Sequence, residues 1–159
     1  MPRAPKLSKA DFLKKWGLPY PSFRYHHLRY KNPPEKGVFW YFFSLFVRGR
    51  DLMLYGTCIS CGKKVSKGDC GHFIPASQCG RDLLFDPRNC NLECSQCNAW
   101  DELHLIGYAK GLDARYGAGT ADELLRRYYE YKAGPPIKDW SRKEYEDKIT
   151  ALRAHGTSL

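Results

Sequence analysis

Four of the seven cysteines fall into two pairs of identical spacing. The pairs are "CISC" at 58–61 and "CSQC" at 94–97, so the candidate ligands are Cys58, Cys61, Cys94 and Cys97. Two thiolates separated by two residues can turn toward one ion, and two such pairs supply the tetrahedral ligand set of a structural zinc site. Zinc held by four thiolates has no position open to water, so we expect it to stabilise the fold. The alternative is two unrelated redox or buried pairs.

The other three cysteines, Cys70, Cys79 and Cys90, are spread irregularly along the chain between the two pairs. Together with His72 they could form a second zinc site. Their irregular spacing favours the alternative, in which they are small buried apolar residues.

The loop that zinc would close contains residues suited to phosphodiester hydrolysis. His72 is the only histidine from Cys58 to Ala99, and it lies in "DCGHFIP". A neutral imidazole can take a proton from water near neutral pH, and carboxylate and amide oxygens suit a hard divalent ion. We expect a short strand ending at the histidine, a second strand around 83–85, and Asn-rich residues leading into a helix. This order is similar to the ββα-metal (HNH-type) nuclease finger.

Several motifs within residues 43–153 resemble the phage NinG (Rap) recombination endonuclease family. They are "FSLFVRGRD", "CISCGK", "DCGHF" and "LLFDPRNCNLECSQCN", with a looser match to "YAKGLDARYG". The cysteine pairs and the histidine are also similar to those of the phage resolvase endonuclease VII. The resemblance implies zinc at the paired cysteines, a general base at His72, and a ligand of a catalytic Mg²⁺ or Mn²⁺ ion at Asn98. It also implies branched DNA, such as Holliday junctions, as the substrate.

The chain departs from the HNH pattern at the residue before the histidine. An acid is usual there, but this sequence has Gly71. Asp69 could reach the ion from a turn, and Asp101 could reach it from a helix face shared with Asn98 at i,i+3 spacing. Both acids are therefore candidate ligands.

Two asparagines and one histidine have further candidate roles. Asn89 or Asn91 could orient His72, as the middle asparagine of an HNH motif does, and both could instead be turn residues. Of the two, we take Asn89 as the candidate site residue. His104 lies six residues past Asn98 and is expected to pack in the fold or to lie on the surface.

The charge balance favours a polyanionic partner. The chain carries 26 Lys and Arg residues against 17 Asp and Glu residues, a formal net charge of +9. Nucleic acid is the commonest such partner and an anionic membrane surface a rarer one, with a solvated basic surface as the alternative. Arginine binds phosphate oxygens in bidentate fashion, and the candidates are Arg48, Arg50, Arg81 and Arg88. The aromatic and basic segment at 22–31 could stack on unpaired bases or form an interface.

The elements around this loop are mostly helical. The run "VFWYFFSLFVRGRD" at 38–51 could be a buried strand or a helix that is apolar on most sides. Farther on, Thr120 is the expected N-cap of a helix that ends before Gly134. Ser141 and Glu144 form a capping box in front of the last helix.

The sequence therefore predicts an α+β protein built on a small zinc-stabilised ββα-metal finger with flanking helices. A length of 159 residues is typical of about one domain. We divide it into a basic N-terminal segment with a short helix (1–37), a zinc-bound nuclease core (38–117) and a C-terminal helical segment (118–159).

The expected function is a metal-dependent endonuclease for branched DNA, and the alternative is a non-catalytic zinc module that binds nucleic acid. A homodimer is expected because symmetric cutting of a DNA junction with two-fold symmetry needs two active sites. No run approaches the ~18 apolar residues of a spanning helix, and the N-terminus lacks the apolar core of a signal peptide. We therefore expect no membrane partner and a cytoplasmic location, that of the bacterial host if the chain is phage-encoded.

Overall fold

The computed structural model describes residues 8–17 and 33–156. This part of the chain contains seven helices and two strands. In chain order they are α1 (Lys9–Trp16), α2 (Glu35–Leu54), β1 (Asp69–His72), α3 (Arg81–Leu84), β2 (Cys90–Glu93), α4 (Ser95–Trp100), α5 (His104–Tyr116), α6 (Thr120–Ala133) and α7 (Arg142–Gly156). Helices combined with one small sheet confirm the expected α+β class. The segment at 22–31 lies outside the described residues.

The two strands form an antiparallel sheet. Asp69 lies opposite Glu93, and His72 lies opposite Cys90. His72 is the last residue of β1, as the sequence predicts. His72 therefore lies at the end of the sheet where β1 finishes.

The prediction of a second strand at 83–85 is wrong. These residues belong to the single-turn helix α3 and its C-cap, closed by hydrogen bonds from the N–H groups of Leu83 and Leu84 to Gly80 O at 3.1 and 2.9 Å. The apolar run is buried throughout because the turn lies between two hydrophobic clusters, with Leu83 in one and its two successors in the other. A run buried on every side has no alternation that would separate a strand from a helix.

The apolar run at 38–51 is helical, and it forms most of the 20-residue helix α2. Its buried residues include Phe39, Phe43 and Val47, whose four-residue spacing places them on one helix face. α2 begins at Glu35, so it crosses the segment boundary that the sequence places at residue 37. Neither α2 nor any other helix in the described ranges is long and apolar enough to cross a membrane.

The last helix, α7, packs against α2 and completes the first hydrophobic cluster. Tyr145 and Ile149 are fully buried there, and the ring centroids of Tyr145 and Phe39 are 5.9 Å apart. The capping box is confirmed, because Glu144 N–H donates to Ser141 Oγ at 3.3 Å and Ser141 N–H donates to Glu144 Oε2 at 2.7 Å. The C-terminal helix thus shares its core with α2.

The start of α6 lies one residue from the predicted position of its cap. Gly119, with φ of 88° in the left-handed region, is the N-cap, and Thr120 is the first helical residue. The turn from α5 passes through positive φ at both Gly117 and Gly119, a conformation that glycine adopts readily. Thr120 Oγ1 donates to Gly117 O at 2.7 Å. Gly134 follows α6, as expected.

Helix α5 lies directly against the turn that carries the first cysteine pair. A Cβ on Gly107 would lie 2.0 Å from Ser60 O, and one on Gly111 would lie 2.2 Å from Ile59 O. Both positions require glycine because the helix backbone approaches the turn so closely. This contact places the beginning of α5 beside the cysteines.

Candidate functional site

The four paired cysteines meet in space. Their Sγ atoms all lie within 4.8 Å of one another, and Cys61 Sγ is 3.9 Å from Cys94 Sγ. The first pair lies in the turn after α2, whereas Cys94 caps the N-terminus of α4 and Cys97 lies within it. The cysteines are positioned to bind a metal ion such as zinc, as their spacing predicts, and four sulfur donors fit this ion. Among the described residues, no other group of His, Cys, Asp or Glu side chains is clustered in this way.

The four thiols do not ionise with equal ease. Burial raises the pKa of the Cys58 and Cys97 thiols. Burial also opposes ionisation of Cys61, but hydrogen bonds from the Lys63 backbone and from the neighbouring thiols outweigh it and lower the pKa. Because a metal binds thiolates, a bound cation would supply the charge that keeps the buried pair ionised.

The cysteine cluster joins the end of β2 and the start of α4 to the turn after α2 that carries Cys58 and Cys61. Cys94 N–H donates to Cys58 Sγ at 3.3 Å, and Ile59 N–H donates to Leu92 O at 3.0 Å. α4 has only six residues and carries Asn98 directly after Cys97. A metal at the cluster would therefore determine where Asn98 lies.

A cavity of about 510 Å³ opens beside the end of β1. Residues of α2, β1, α4 and α5 line it, and among them are Asp69, His72, Asn98 and His104. Three of these were predicted from the sequence as site residues. The fold therefore brings together the proposed base and two of the proposed metal ligands.

The imidazole of His72 is held from two directions. Its Nε2 lies 3.0 Å from the backbone O of Leu84, and the ring stacks on Trp40 with centroids 5.1 Å apart and 19° between the planes. A carbonyl oxygen can only accept, so Nε2 carries the hydrogen and Nδ1 holds the lone pair of the neutral ring. The turn of α3, where the sequence predicts a strand, supplies this carbonyl.

Asp69 and Asn98 lie side by side, with Asn98 Nδ2 donating to Asp69 Oδ2 at 3.3 Å. Asp101 does not join them. α4 ends at Trp100, and the exposed Asp101 has an extended backbone and accepts a hydrogen bond from Leu103 N–H at 2.9 Å. The prediction that Asp101 shares a helix face with Asn98 is wrong, because the helix ends first.

The structure explains why residue 71 is not an acid. A Cβ built on Gly71 would lie 2.2 Å from Glu93 Oε2 and 3.1 Å from Glu93 Cβ. The carboxylate of β2 thus occupies the space that a side chain at position 71 would need. Glycine leaves room for this carboxylate, whereas any larger residue would have to displace it.

Of the two candidate asparagines, Asn89 is the one whose side chain bonds to the segment after His72. It is fully buried, its Oδ1 accepts from Ile74 N–H at 2.7 Å, and its Nδ2 donates to the backbone O atoms of Ile74 and Leu83 at 3.2 and 2.9 Å. These bonds hold the segment after His72 against α3. Asn91 instead bonds to two tyrosines of α5. Asn89 does not line the cavity, so its contribution is to position the loop.

Sequence reasoning missed the pairing of His104 with Glu93. His104 lines the cavity, and its Nδ1 lies 2.7 Å from Glu93 Oε1. The same oxygen accepts a hydrogen bond from Ser60 Oγ at 2.5 Å. No spacing rule connects these residues, because they lie on a strand, a helix and a turn. The one sequence feature that points to this pairing is Glu93 itself, an acid directly before Cys94 whose strand position is opposite Asp69.

Arg50 is engaged inside the protein. Its guanidinium donates to Asp51 Oδ1 at 2.7 Å, to Pro87 O at 2.9 Å and to Cys90 O at 3.1 Å. Burial would lower its pKa, but the hydrogen bond and the charge of Asp51 outweigh burial and raise it. Arg50 therefore holds α2 to the start of β2.

The other three predicted arginines differ in their surroundings. Arg81 lies over the Trp140 ring, 5.3 Å from its centroid. Arg48 donates through Nε to a carbonyl of its own helix at 3.1 Å, and Arg88 has 43% of its side chain exposed and pairs with Asp86 at 3.7 Å. Arg48 and Arg88 stay candidates for phosphate contact.

The three remaining cysteines pack as small core residues, as their spacing favours. Cys90 is fully buried in the first hydrophobic cluster, and Cys70 and Cys79 pack against it. Burial raises the pKa of the Cys79 thiol to about 11. They form no second metal cluster within the described part of the chain.

Comparison with known proteins identifies the family. The chain matches the family model described as Bacteriophage Lambda NinG protein over residues 39–155. It is 31% identical over 111 residues to the protein ninG of Salmonella phage P22 and 30% identical over 111 residues to that of Escherichia phage lambda. Each match covers 69% of this chain and 53% of the relative, so the chain spans about half the length of the curated relatives it matches.

No solved structure gives a significant match. The likeness to endonuclease VII therefore stays a prediction from the motifs. The family model, by contrast, covers both cysteine pairs and every residue named above as lining the cavity. The chain belongs to the family of the bacteriophage lambda NinG protein.

Proposed function

We propose that this protein is a metal-dependent endonuclease that cuts branched DNA or recombination intermediates of the Holliday-junction type. The observation that carries the proposal is that a histidine, a carboxylate and an amide, those of His72, Asp69 and Asn98, line one cavity. Membership of the NinG family and the similarity of the motifs to an HNH-type finger support it.

The donor set at the cavity fits a hard divalent ion. Asp69 offers a carboxylate, and Asn98, whose amide nitrogen points at Asp69, offers its amide oxygen. Such oxygens are the ligands that Mg²⁺ and Mn²⁺ prefer, so these two residues would hold the ion. When bound, it would neutralise phosphate charge and stabilise the leaving 3′-oxygen.

His72 is the residue that would move the proton. Its Nε2–H is bound to Leu84 O, so Nδ1 of the neutral ring can accept a proton from the water that attacks the phosphate. The stack on Trp40 and the bond to the carbonyl keep the ring in one orientation. A base held in this way needs little reorganisation when the reaction begins.

The charge of the chain supports DNA as the substrate. The net charge of +9 favours a polyanion, and Arg48 and Arg88 are the arginines that we propose as phosphate contacts. A homodimer would offer two active sites to a junction with two-fold symmetry. If the chain is phage-encoded, the reaction would take place in the cytoplasm of the bacterial host.

A cleavage assay on a four-way junction beside a linear duplex, with Mg²⁺ or Mn²⁺, tests the proposal. We expect His72→Ala to cut about 10²–10⁴-fold more slowly than wild type, since this is the usual contribution of a general base. His155→Ala, which changes an exposed histidine of α7, should cut like wild type. Chelation of the divalent ion should stop cleavage. A His72→Ala protein that folds, retains zinc and cuts at the wild-type rate would contradict the mechanism.

The second candidate function is a non-catalytic zinc module that binds nucleic acid, which the four-cysteine cluster and the basic charge favour. It predicts salt-sensitive binding of DNA without cutting. If wild type binds branched, flapped and duplex DNA but cuts none of them with either ion, this function replaces the first.

A further inference from the structure

Glu93 is a buried carboxylate with one oxygen that lacks a hydrogen-bond partner among the described residues. Its side chain is 0% exposed, Oε1 accepts from Ser60 and His104, and Oε2 has no such partner. Within the described ranges, His104 is the only basic residue that pairs with it. Buried charges are usually paired with a cation or lie beside a metal, so this oxygen indicates positive charge nearby.

The bonds at Glu93 determine which nitrogen of His104 holds the lone pair. A carboxylate oxygen that also accepts from Ser60 requires the hydrogen of the imidazole to be on Nδ1. The lone pair of the neutral ring is then on Nε2. Because Nδ1 is bound to the buried Glu93 and the ring lines the cavity, Nε2 is the nitrogen left to bind a ligand there.

We propose that His104 is a further ligand of the catalytic divalent ion, binding through Nε2 beside Asp69 and Asn98, and that Glu93 positions it. Histidines that bind a metal through one nitrogen usually donate the other N–H to a carboxylate, and this pair has that arrangement. The inference rests on the proposed function, because it concerns the ion of that reaction. An imidazole ligand also makes the site favour Mn²⁺ over Mg²⁺, since Mg²⁺ prefers oxygen donors.

The turn of the cysteine cluster holds this pair in place. Ser60, which donates to Glu93, lies between Cys58 and Cys61, and its carbonyl lies against Gly107 of α5, one turn beyond His104. Position 71 contributes no ligand, because Glu93 fills the space above that glycine. The same carboxylate therefore occupies the space of a side chain before His72 through one oxygen and binds His104 through the other.

Manganese binding to the full, zinc-loaded chain tests the assignment by electron spin-echo spectroscopy. A directly bound imidazole nitrogen modulates the Mn²⁺ echo, and labelling histidine with ¹⁵N identifies the source. The test variant is His104→Asn, which keeps an amide donor near the Nδ1 position and removes Nε2. His72→Ala and His155→Ala are the matched controls.

The expected result is a histidine nitrogen signal in wild type and in both controls, and its loss in His104→Asn. The Kd for Mn²⁺ should rise about 10–100-fold in that variant. A nitrogen signal that persists in His104→Asn, or that is missing from wild type, overturns the inference. If the signal behaves as expected but no DNA substrate is cut, the ligand assignment stands and the proposed function fails.

Glu93→Gln separates positioning from coordination. The amide keeps the shape of the side chain but removes its charge, so we expect the Kd for Mn²⁺ to rise about tenfold or more. Glu130→Gln, at an exposed site on α6, should bind Mn²⁺ like wild type. Zinc content and thermal unfolding verify the fold of each variant. An unchanged Kd in a folded Glu93→Gln protein would overturn the positioning role.

Discussion

At the scale of single residues, the site depends on which side chain occupies the space beside His72. The strand register places Glu93 opposite Asp69, and its carboxylate folds back over Gly71. The acid beside Gly71 in space therefore comes from β2, and the residue that precedes His72 on β1 is small. A local sequence motif cannot show this arrangement, because it depends on how the two strands pair.

Replacing Gly71 with alanine should therefore destabilise the protein. The new Cβ would lie 2.2 Å from Glu93 Oε2, so the carboxylate must move away from its bonds to Ser60 and His104. We expect the free energy of unfolding to fall by about 1–3 kcal/mol, as for other overpacked sites. Denaturant unfolding measures it.

Gly49→Ala is the matched control. Gly49 lies within α2, and a Cβ there would meet nothing within 4 Å. We expect no loss of stability and a gain of up to about 1 kcal/mol from the better helix propensity of alanine. Equal effects of the two substitutions would show that the space above Gly71 is not restricted.

At the scale of elements, an ion pair connects α2 to the start of α7. Asp139 accepts hydrogen bonds from Lys36 Nζ at 2.6 Å, Tyr145 Oη at 2.7 Å and Trp140 N–H at 2.9 Å. Burial would raise the pKa of this carboxyl, but the bonds from Lys36 and Tyr145 outweigh burial and lower the pKa. The connection holds the C-terminal helix on the aromatic face of α2.

Asp139→Asn should reduce the free energy of unfolding by about 1 kcal/mol at neutral pH, a value discounted because the side chain is 37% exposed. The folded pKa lies below the ordinary value of about 3.9, so the contribution of the carboxylate is present above that pH. It is lost as pH falls through the folded pKa. The difference between variant and wild type should therefore shrink below about pH 4.

Unfolding of both proteins between pH 3 and 7 measures this difference. Asp147→Asn is the control, because Asp147 forms an exposed i,i+4 pair with Lys143 at 2.8 Å. Its effect should stay within about 0.5 kcal/mol. A difference for Asp139→Asn that grows toward low pH would contradict the assigned sign.

At the scale of the whole molecule, the cysteine cluster connects the parts that form the cavity. The turn after α2, the end of β2 and the short helix α4 meet at the four sulfurs. The same turn contacts α5, and its Ser60 hydroxyl donates a hydrogen bond to Glu93. Loss of a metal from the cysteine cluster should therefore affect the fold and also the proposed binding of a divalent ion at the cavity.

Release of zinc by a thiol-modifying reagent should lower the free energy of unfolding by several kcal/mol and abolish Mn²⁺ binding. Cys58→Ala should reproduce this result, because Cys58 is a buried member of the cluster. Cys79→Ala, at a core position outside the cluster, should retain about one zinc per chain. Metal analysis combined with thermal unfolding measures both. Zinc retained in Cys58→Ala but lost in Cys79→Ala would place the site elsewhere.

Much of the site could be predicted from local patterns. The spacing of the cysteine pairs, the strand that ends at His72, and the position of Asn98 after Cys97 are features of neighbouring residues, and the structure agrees with each. The helical form of 38–51 and of 83–85 could not be predicted in the same way. Those runs are apolar at most positions, so the sequence pattern does not separate a strand from a helix.

The sequence alone determined the four-cysteine cluster, the α+β class and three of the residues that line the cavity, because ligand spacing and capping are local properties. Tertiary structure decided which of the distant polar residues face that cavity. It excluded Asp101, placed Arg50 in internal hydrogen bonds, and paired Glu93 with His104. The physical reason is that these outcomes depend on strand register, on where α4 ends and on how closely α5 approaches the turn, which no short stretch of sequence contains.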